Sequence, residues 1–256
     1  MLDAIPVPAL GDNYIWLLQA SDSSATILVD PGDARPALDA IADHGLELRA
    51  ILITHHHGDH VGGLNEVLAQ WSVPVYGPAT EQVAGVTHPV GGGDRFMIEA
   101  LGTEFVVIDT PGHTAGHIAF HGGGWLLCGD TLFAGGCGRV FEGTYEQMHD
   151  SLQRLAALPD ATRGCCGHEY TLANLAFARA VEPDNEELAD RERRAQELRD
   201  AGEPTVPFTL AEERTTNPFL RCHVPAVHAA AEARAGRTLS DPAEVFAVIR
   251  AWKDRF

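Results

Sequence analysis

Basic residues are scarce in this sequence, and lysine is almost absent. The 256 residues include 18 Arg and Lys against 36 Asp and Glu, so the formal net charge is −18. Residues 1–170 contain 6 of these cations and 21 acidic residues, whereas residues 171–256 contain 12 and 15. A protein that binds nucleic acid needs a basic face to neutralise phosphates. The charge balance therefore argues against nucleic acid as a partner.

A long hydrophobic run and a leader segment are also missing. No stretch of 18 or more apolar residues occurs, although a membrane-spanning helix needs about 20. The first residues, Met1–Pro6, lack the basic segment and apolar stretch of a secretory signal. We therefore expect a cytoplasmic protein that does not contact a membrane.

Cysteine is limited to five residues, an odd number, and no two of them form a C-x-x-C motif. Cys165 and Cys166 are adjacent, a spacing that disfavours a disulfide between them. We expect all five to be reduced thiols, mostly buried, as in a reducing compartment. Either adjacent cysteine could be a nucleophile, but a strand that enters the core is the favoured interpretation.

Motifs of several other catalytic classes are absent. The sequence lacks the G-x-S-x-G of serine hydrolases, a P-loop and the glycine fingerprint of dinucleotide-binding folds. Two glycine triplets, Gly91–Gly93 and Gly122–Gly124, are more simply explained as hairpin turns than as phosphate-binding loops.

Up to about residue 170, short apolar runs alternate with turn residues and helical stretches, which favours two sheets with helices outside them. The predicted strands are Tyr14–Ala20, Thr26–Val29, Ala50–Ile53, Glu104–Ile108 and Trp125–Cys128, and the helices among them are Arg35–His44, Gly62–Trp71 and Tyr145–Leu158. The later predicted helices are Glu186–Asp200, Pro225–Arg234 and Ala243–Arg255. We therefore predict a catalytic domain over residues 1–170 and a helical domain over residues 171–256.

Four potential metal ligands follow one apolar strand within six residues. From residue 51 the segment reads I-L-I-T-H-H-H-G-D-H. His55 and His57 lie two apart in an extended segment, so their side chains project the same way, while Asp59 and His60 lie where a helix begins. Imidazole and carboxylate ligands suit zinc, iron or manganese. So dense a cluster has no packing explanation, and only His56, which alternates away, is expected outside the ligand set.

Three further apolar strands each end at a residue of a ligand type. His113 lies in the segment V-V-I-D-T-P-G-H-T, Asp130 lies in W-L-L-C-G-D-T-L-F, and His168 lies in C-C-G-H-E-Y. A glycine beside each of them allows the backbone to approach the site closely.

Together these motifs resemble the metallo-β-lactamase superfamily. The similarity covers essentially the whole chain, and the stretches N-P-F-L-R at 217–221 and R-A-W-K at 250–253 resemble in particular the hydroxyacylglutathione hydrolase (glyoxalase II) family. The resemblance implies an α/β fold, an αβ/βα sandwich with a C-terminal helical domain that binds glutathione. It also implies two divalent metal ions per chain, zinc or else iron or manganese. One ion would take His55, His57 and His113, the other would take Asp59, His60 and His168, and Asp130 would bridge both.

The same resemblance implies hydrolysis of S-(2-hydroxyacyl)glutathione, chiefly S-D-lactoylglutathione, to glutathione and D-lactate, the second step of methylglyoxal detoxification. A hydroxide that bridges the two metal ions would attack the thioester, because metal binding can lower the pKa of water from 15.7 to about 7. Asp59 and Asp130 are the carboxylates available to orient it. We expect a monomeric, metal-dependent thioester hydrolase.

Five further residues match family positions that contact the substrate, of which Tyr170 matches a position at the substrate carbonyl or the glutathione backbone. They are Arg139, Phe141, Tyr170, Arg250 and Lys253. Phe141 stands where some members have tyrosine, so a hydroxyl contact there is lost or replaced. Arg250 and Lys253 share one face of a predicted helix, which an ordinary solvated helix end would also explain. The resemblance favours the substrate role.

Three other functions fit parts of the pattern. A persulfide dioxygenase of the same superfamily would use a single iron ion held by two histidines and one aspartate, so it would not need the second ligand set. A metal-dependent nuclease of this fold would need a basic channel, which the acidic first 170 residues disfavour. A non-catalytic metal-binding protein would have a broken ligand set. Metal counting and oxygen uptake distinguish the dioxygenase from a hydrolase.

Overall fold

The computed structural model describes residues 2–256. These residues cluster into two compact units. The first unit consists of residues 2–110, 116–129 and 165–169, and the second consists of residues 111–115, 130–164 and 170–256. Among the described residues, no helix is both long and apolar enough to cross a membrane.

Strands and helices alternate through the first half of the chain, and helices dominate its last third. The strands are β1 (Leu2–Ala9), β2 (Asn13–Ala20), β3 (Ala25–Val29), β4 (Glu47–Leu52), β5 (Val75–Pro78), β6 (His88–Val90), β7 (Arg95–Ile98), β8 (Thr103–Asp109), β9 (Ile118–Gly122), β10 (Trp125–Gly129), β11 (Leu132–Phe133), β12 (Gly136–Cys137), β13 (Arg163–Cys166) and β14 (Phe208–Thr209). The α-helices are α1 (Ala34–Asp43), α2 (Gly58–Val61), α3 (Leu64–Gln70), α4 (Tyr145–Ala156), α5 (Thr171–Val181), α6 (Glu186–Asp200), α7 (Leu210–Thr216), α8 (Pro225–Ala235) and α9 (Pro242–Lys253), and a 3-10 helix spans Glu99–Leu101.

The first sheet has the strand order β1-β2-β3-β4-β5-β6 and lies within the first unit. The β1–β2 and β2–β3 pairs are antiparallel, whereas β3 to β6 run parallel. β3 is buried at all five positions, as expected for a continuous apolar strand inside a sheet. Helix α1 packs on the strands through Ala37 and Ile41, and α3 packs on them through Leu64 and Val67.

The second sheet has the order β14-β13-β10-β9-β8-β7, of which β7 to β10 form an antiparallel meander in the first unit. The ring of Tyr76 on β5 stacks on Phe96 of β7 with centroids 4.0 Å apart. Phe96 also meets Phe120 of β9 edge-on at 6.0 Å. The Tyr76–Phe96 contact joins the two sheets of the first unit, whereas the Phe96–Phe120 contact lies within the second sheet. The presence of two sheets confirms the prediction from the sequence.

One glycine triplet forms a hairpin turn and the other does not. Gly122 pairs with Trp125 across the β9–β10 hairpin, and Gly123 and Gly124 have φ angles of 59° and 85°, which glycine adopts without strain. The hairpin prediction for Gly91–Gly93 is wrong, because this triplet connects β6 of the first sheet to β7 at the edge of the second. A crossing between sheets and a hairpin both require turn residues, so composition alone does not separate them.

The helix predicted over Gly62–Trp71 is interrupted, so that α2 and α3 are separate and Gly62 and Gly63 lie between them. An added Cβ at Gly62 would lie 2.7 Å from the carbonyl oxygen of Gly32. The N–H of Gly63 donates to the carbonyl oxygen of Pro31 at 2.9 Å. The chain passes so close to another segment here that two residues without side chains are needed and the helix breaks.

Helices make up most of the second unit. The three helices predicted after residue 170 correspond to α6, α8 and α9, and α6 has the predicted bounds. The sequence pattern does not predict α5 or α7. Six of the 11 residues of α5 are buried, so it lacks the clear polar face that marks a surface helix, and α7 has only 7 residues.

A buried polar cluster fixes the turn between β11 and β12 in the second unit. Glu213 is buried and accepts hydrogen bonds from Arg191, from the N–H of Gly135 at 3.0 Å and from the amide of Asn217 at 2.8 Å. The Asn217 amide also donates to the carbonyl oxygen of Gly136 at 2.9 Å. Burial raises the pKa of Glu213, whereas the Arg191 guanidinium acts in the opposite direction. Removing either partner would leave buried polar groups unsatisfied.

The cysteines are free and buried, as the sequence analysis predicts. Burial raises the pKa of the Cys137 and Cys222 thiols. Cys165 and Cys166 lie on the buried strand β13, in agreement with the interpretation of that segment as a strand that enters the core.

Truncation of Phe120, which is fully buried and packs edge-on against Phe96, should destabilise the protein. We expect Phe120→Ala to lower the free energy of unfolding by about 3–5 kcal/mol, because it removes apolar contacts and leaves a cavity. Urea unfolding followed by circular dichroism measures this change. Met97→Ala, at a side chain on β7 that is 46% exposed, should change it by about 0.5 kcal/mol or less. Equal losses for the two variants would contradict this description of the core.

Candidate metal centre

The histidine motif after β4 forms a compact group of rings in the first unit. The chain leaves β4 at Leu52 and enters α2 at Gly58. The ring centroid of His55 lies 4.7 Å from that of His57 and 4.1 Å from that of His60. His55 and His60 are buried. Burial disfavours the charged form of an imidazole, and the neutral form is the one that binds a metal ion.

Asp59, His60 and His168 form a group that could hold a metal ion. The Oδ2 atom of Asp59 lies 3.5 Å from Nε2 of His60 and 3.4 Å from Nε2 of His168. The ligand atoms of the three residues all lie within 4.8 Å of one another. Nδ1 of His168 donates to the carboxylate of Asp12 at 2.7 Å, so Nε2 of that ring is the unprotonated nitrogen.

The carboxyl group of Asp59 is ionised at neutral pH. Contacts with the His168 and His60 rings and a hydrogen bond from the Asn13 amide hold the pKa of Asp59 well below its usual range. Partial burial opposes them without cancelling their effect. An ionised carboxylate beside two imidazole nitrogens is a donor set suited to a divalent cation.

The outer nitrogens of His55 and His60 are also hydrogen-bonded, in both cases through Asp30. Nδ1 of His60 donates to Oδ2 of Asp30 at 3.1 Å. The Thr54 hydroxyl donates its proton to the same carboxylate at 2.7 Å, so it accepts from Nδ1 of His55 at 3.0 Å. These bonds favour the tautomer of each ring in which Nε2 is unprotonated, the usual arrangement around histidine ligands.

The second unit holds His113 and Asp130 side by side. Nε2 of His113 lies 3.4 Å from Oδ2 of Asp130, and both residues are buried. Nδ1 of His113 donates to the carbonyl oxygen of Arg139 at 2.8 Å. His113 therefore has the same tautomer as the ligand-type histidines of the first unit, and the nitrogen that faces the carboxylate is the unprotonated one.

His56, which the sequence analysis places outside the ligand set, has a different kind of partner. Its side chain is 36% exposed, and Nδ1 lies 2.9 Å from Oε2 of Glu81. The structure thus gives His56 a hydrogen bond to a carboxylate, at a more exposed position than its neighbour His55.

Arg139, Arg250 and Lys253 lie close to one another in the second unit. Arg250 is 3% exposed and donates to the carbonyl oxygen of Cys137 at 2.9 Å and to the carboxylate of Asp254 at 3.0 Å. Nε of the more exposed Arg139 lies 3.7 Å from the same carboxylate. Two of these cations therefore share one carboxylate and Lys253 lies near both of them, and an excess of positive charge of this kind favours an anionic ligand.

Lys253 is half-buried in this group. Its Nζ atom donates to the carbonyl oxygen of Ala173 at 2.8 Å and lies 5.2 Å from the centroid of the Phe177 ring. Burial, together with the charges of Arg250 and Arg139, lowers the pKa of Lys253 to about 8. The ammonium group is thus charged at neutral pH and becomes neutral in mildly alkaline solution.

The two predicted aromatic contacts, Phe141 and Tyr170, are among the exposed large apolar side chains of the second unit. They are 62% and 37% exposed. The Phe141 ring lies 5.2 Å from His113, and the Tyr170 ring lies 5.3 Å from Phe133. Exposed aromatic rings of this kind, of which Phe141 lies beside a ligand-type histidine, are suited to contact a bound small molecule.

Sequence reasoning does not identify the residues that hold the ligand side chains. Asp30 and Asp12 anchor histidine rings, and Asn13 donates to Asp59. His117 is a further such residue, since it is buried and its ring stacks on His55 at 4.7 Å. The available signals were weak: Asp30 follows an apolar strand and Asn13 precedes one, as do many residues that only form turns.

Comparison with known proteins identifies the family. The model of the metallo-beta-lactamase superfamily matches residues 9–168, and a model described as hydroxyacylglutathione hydrolase C-terminus matches residues 169–256. A hydroxyacylglutathione hydrolase of Alkalilimnicola ehrlichii is 57% identical over 255 residues, which cover 100% of both chains. The chain belongs to the hydroxyacylglutathione hydrolase family. As a member of this family within the metallo-β-lactamase superfamily, it is a metal-dependent hydrolase that uses divalent ions.

Two further comparisons agree with the family and the fold. A hydroxyacylglutathione hydrolase of Halorhodospira halophila is 55% identical over 254 residues, which cover 99% of each chain. A crystal structure of TTHA1623 in a di-iron-bound form is 27% identical with a TM-score of 0.60, and it covers 84% of this chain and 100% of that one. The metallo-β-lactamase fold predicted from the sequence is therefore confirmed.

Substitution of Gly32 should weaken metal binding, although the residue is not a ligand. A Cβ atom at this position would overlap the carbonyl oxygen of Asp59, and the Asp59 backbone would have to move. We expect Gly32→Ala to lower the bound divalent metal per chain, measured by elemental analysis after desalting. Gly91→Ala, where an added Cβ has no atom within 4 Å, should retain wild-type metal content. Equal metal content in both variants would show that the close approach is unimportant.

Proposed function

We propose that this protein hydrolyses S-(2-hydroxyacyl)glutathione, chiefly S-D-lactoylglutathione, to glutathione and D-lactate, the second step of methylglyoxal detoxification. One observation carries the proposal: histidines fixed with Nε2 unprotonated lie beside ionised Asp59, in a chain 57% identical over its full length to a hydroxyacylglutathione hydrolase. The proposal includes a catalytic domain over residues 1–170, a helical domain that binds glutathione over residues 171–256, and a monomeric state.

The proposed cofactor is a pair of divalent ions, zinc or else iron or manganese. The proposed ligands are His55, His57 and His113 for one ion, Asp59, His60 and His168 for the other, and Asp130 as the bridge. The chemistry of this donor set fits such ions, because histidine nitrogens and carboxylate oxygens are the ligands that zinc, iron and manganese share. The hydrogen bonds on Nδ1 of His55, His60, His113 and His168 support the assignment.

When bound, the two cations would lower the pKa of a water molecule to near neutrality and polarise the thioester carbonyl. The protein's own contribution is orientation. Asp59, held as a carboxylate, would accept a hydrogen bond from the attacking water, and Asp130, which lies beside His113, would do the same. A thiolate is the leaving group, and a thiol has a pKa near 8.5, so no general acid is needed to protonate it.

The substrate side of the proposal rests on the cations of the second unit. Glutathione carries two carboxylates, and the overall charge of −18 repels such an anion. Arg139, Arg250 and Lys253 supply a local positive charge that overcomes this repulsion. Phe141 and Tyr170 would contact the tripeptide beside His113 and Phe133.

The test of this proposal is hydrolysis of S-D-lactoylglutathione by metal-loaded protein, with metal content measured on the same sample. We expect two ions per chain, and release of one thiol per thioester without oxygen uptake. Asp130→Ala should lose metal and nearly all turnover because the proposed bridge is removed, whereas His56→Ala should change turnover little. Oxygen consumption with a single bound iron would indicate a dioxygenase instead. Full metal content and normal turnover in Asp130→Ala would contradict the bridging role.

A pH profile tests the role of Lys253. Its cationic form should bind a substrate carboxylate, so kcat/KM for the glutathione thioester should be level below pH about 8 and fall above it, as the pKa of about 8 requires. A hydrogen bond to a charged group contributes about 1.5–3 kcal/mol, so Lys253→Met should lower kcat/KM by roughly 10- to 150-fold at neutral pH.

The matched control for this profile is Lys253→Arg, which stays charged throughout the range and should abolish the fall near pH 8. A small neutral thioester should show no such fall with any of the three proteins. The same decline with the neutral thioester, or in Lys253→Arg, would assign it to another group.

A further inference from the structure

Three consecutive residues at the start of β2 contact the loop that carries His168, all within the first unit. We call Asp12, Asn13 and Tyr14 the amino-terminal clamp. Its backbone is joined to this loop by two hydrogen bonds, from the N–H of Tyr14 to the carbonyl oxygen of Gly167 at 2.8 Å and from the N–H of Glu169 to the carbonyl oxygen of Asp12 at 2.8 Å. Asn13 and His168 also form an isolated antiparallel bridge. The clamp therefore has a fixed position relative to His168.

Each side chain of the clamp adds a hydrogen bond. Oδ1 of Asp12 accepts from Nδ1 of His168 at 2.7 Å, and the hydroxyl of Tyr14 donates to Glu169 at 2.9 Å. The amide of Asn13 donates to Oδ2 of Asp59 at 2.9 Å. The clamp thus holds two ligand-type residues that are 46 and 156 positions away from it in sequence.

Asn13 donates to the Asp59 oxygen that lies nearest to the two histidines. Oδ2 of Asp59, which accepts from Asn13, is also the oxygen nearest to Nε2 of both His60 and His168. The Asp59 side chain is 38% exposed, so burial alone does not immobilise its carboxylate. Asn13 is buried and anchored by the bridge to His168, so its amide can fix the orientation of that carboxylate.

We propose that Asn13 is a positioning residue that governs retention of the metal ion held by Asp59, His60 and His168, without binding metal or substrate itself. This inference rests on the proposed function, since it assumes two metal ions. It is selective for one ion, because the outer nitrogens of His55 and His113 are anchored by other groups, the Thr54 hydroxyl and a main-chain carbonyl.

The experiment compares metal release from the wild type with that from Asn13→Leu, which keeps the size of the side chain but removes the donor, and from Asn13→Ala. Zinc-loaded protein is mixed with a chromogenic chelator, and release is followed in time. Mutation of an outer partner weakens metal binding by about 10- to 100-fold. We expect one of two release phases to accelerate by about that factor, and the other to remain at the wild-type rate.

Asn185→Ala is the matched control, because Asn185 also makes two side-chain hydrogen bonds, to the N–H of Leu188 at 3.1 Å and the carbonyl oxygen of Thr215 at 3.0 Å. It should release both ions at the wild-type rates. Excess zinc should restore both full occupancy and kcat in the Asn13 variants, with KM unchanged. A merely structural defect would not be reversed by zinc.

Two outcomes would overturn the proposal in different ways. In the first, the wild type holds two ions, but the Asn13 variants release both at the wild-type rates or release both equally faster. This result would refute the role of Asn13 and leave the proposed function intact. Wild-type protein that holds fewer than two ions would refute the proposed dinuclear centre, and the inference about Asn13 with it.

Discussion

An imidazole ring can present only one nitrogen to a metal ion, so a histidine site depends on what holds the other nitrogen. In this protein the outer nitrogen of four histidines meets an oxygen, on Asp30 for His60 and on Thr54 for His55 within the first unit. Without these hydrogen-bond partners, either nitrogen of each histidine ring could be the protonated one.

Asp30 shows how strongly the structure favours this arrangement. Its φ angle is 50°, in the left-handed region that residues with side chains rarely adopt. Its carboxylate accepts from the N–H of Thr54 at 2.8 Å, from the Thr54 hydroxyl at 2.7 Å and from His60 at 3.1 Å. Backbone strain of roughly 1–3 kcal/mol persists only where the surroundings enforce it, and three hydrogen bonds to a buried charge do so here.

The sequence alone predicts the fold and the segments that supply ligand-type residues, because those segments are short, local and dense in polar side chains. It does not predict the groups that orient them. Asp12 and His168 are 156 positions apart, and Asn13 and Asp59 are 46 apart, so no spacing rule connects them. Local composition fails for the same reason at Gly91–Gly93, where a crossing between sheets resembles a hairpin turn. The ligand assignments themselves and the substrate contacts stay predictions.

The burial of the cysteines has a consequence for a protein proposed to release a thiol at every turnover. Glutathione and its disulfide exchange with protein thiols by attack of a thiolate, so only accessible and ionised cysteines form mixed disulfides. Every cysteine of this chain is buried, and burial raises the pKa of Cys137, whose sulfur lies 3.6 Å from the Arg250 guanidinium. Burial therefore protects the cysteines of this protein from thiol–disulfide exchange with the glutathione that it is proposed to release. This protein should keep its thiols unmodified when the ratio of glutathione to its disulfide falls, the condition in which surface cysteines of other proteins become blocked.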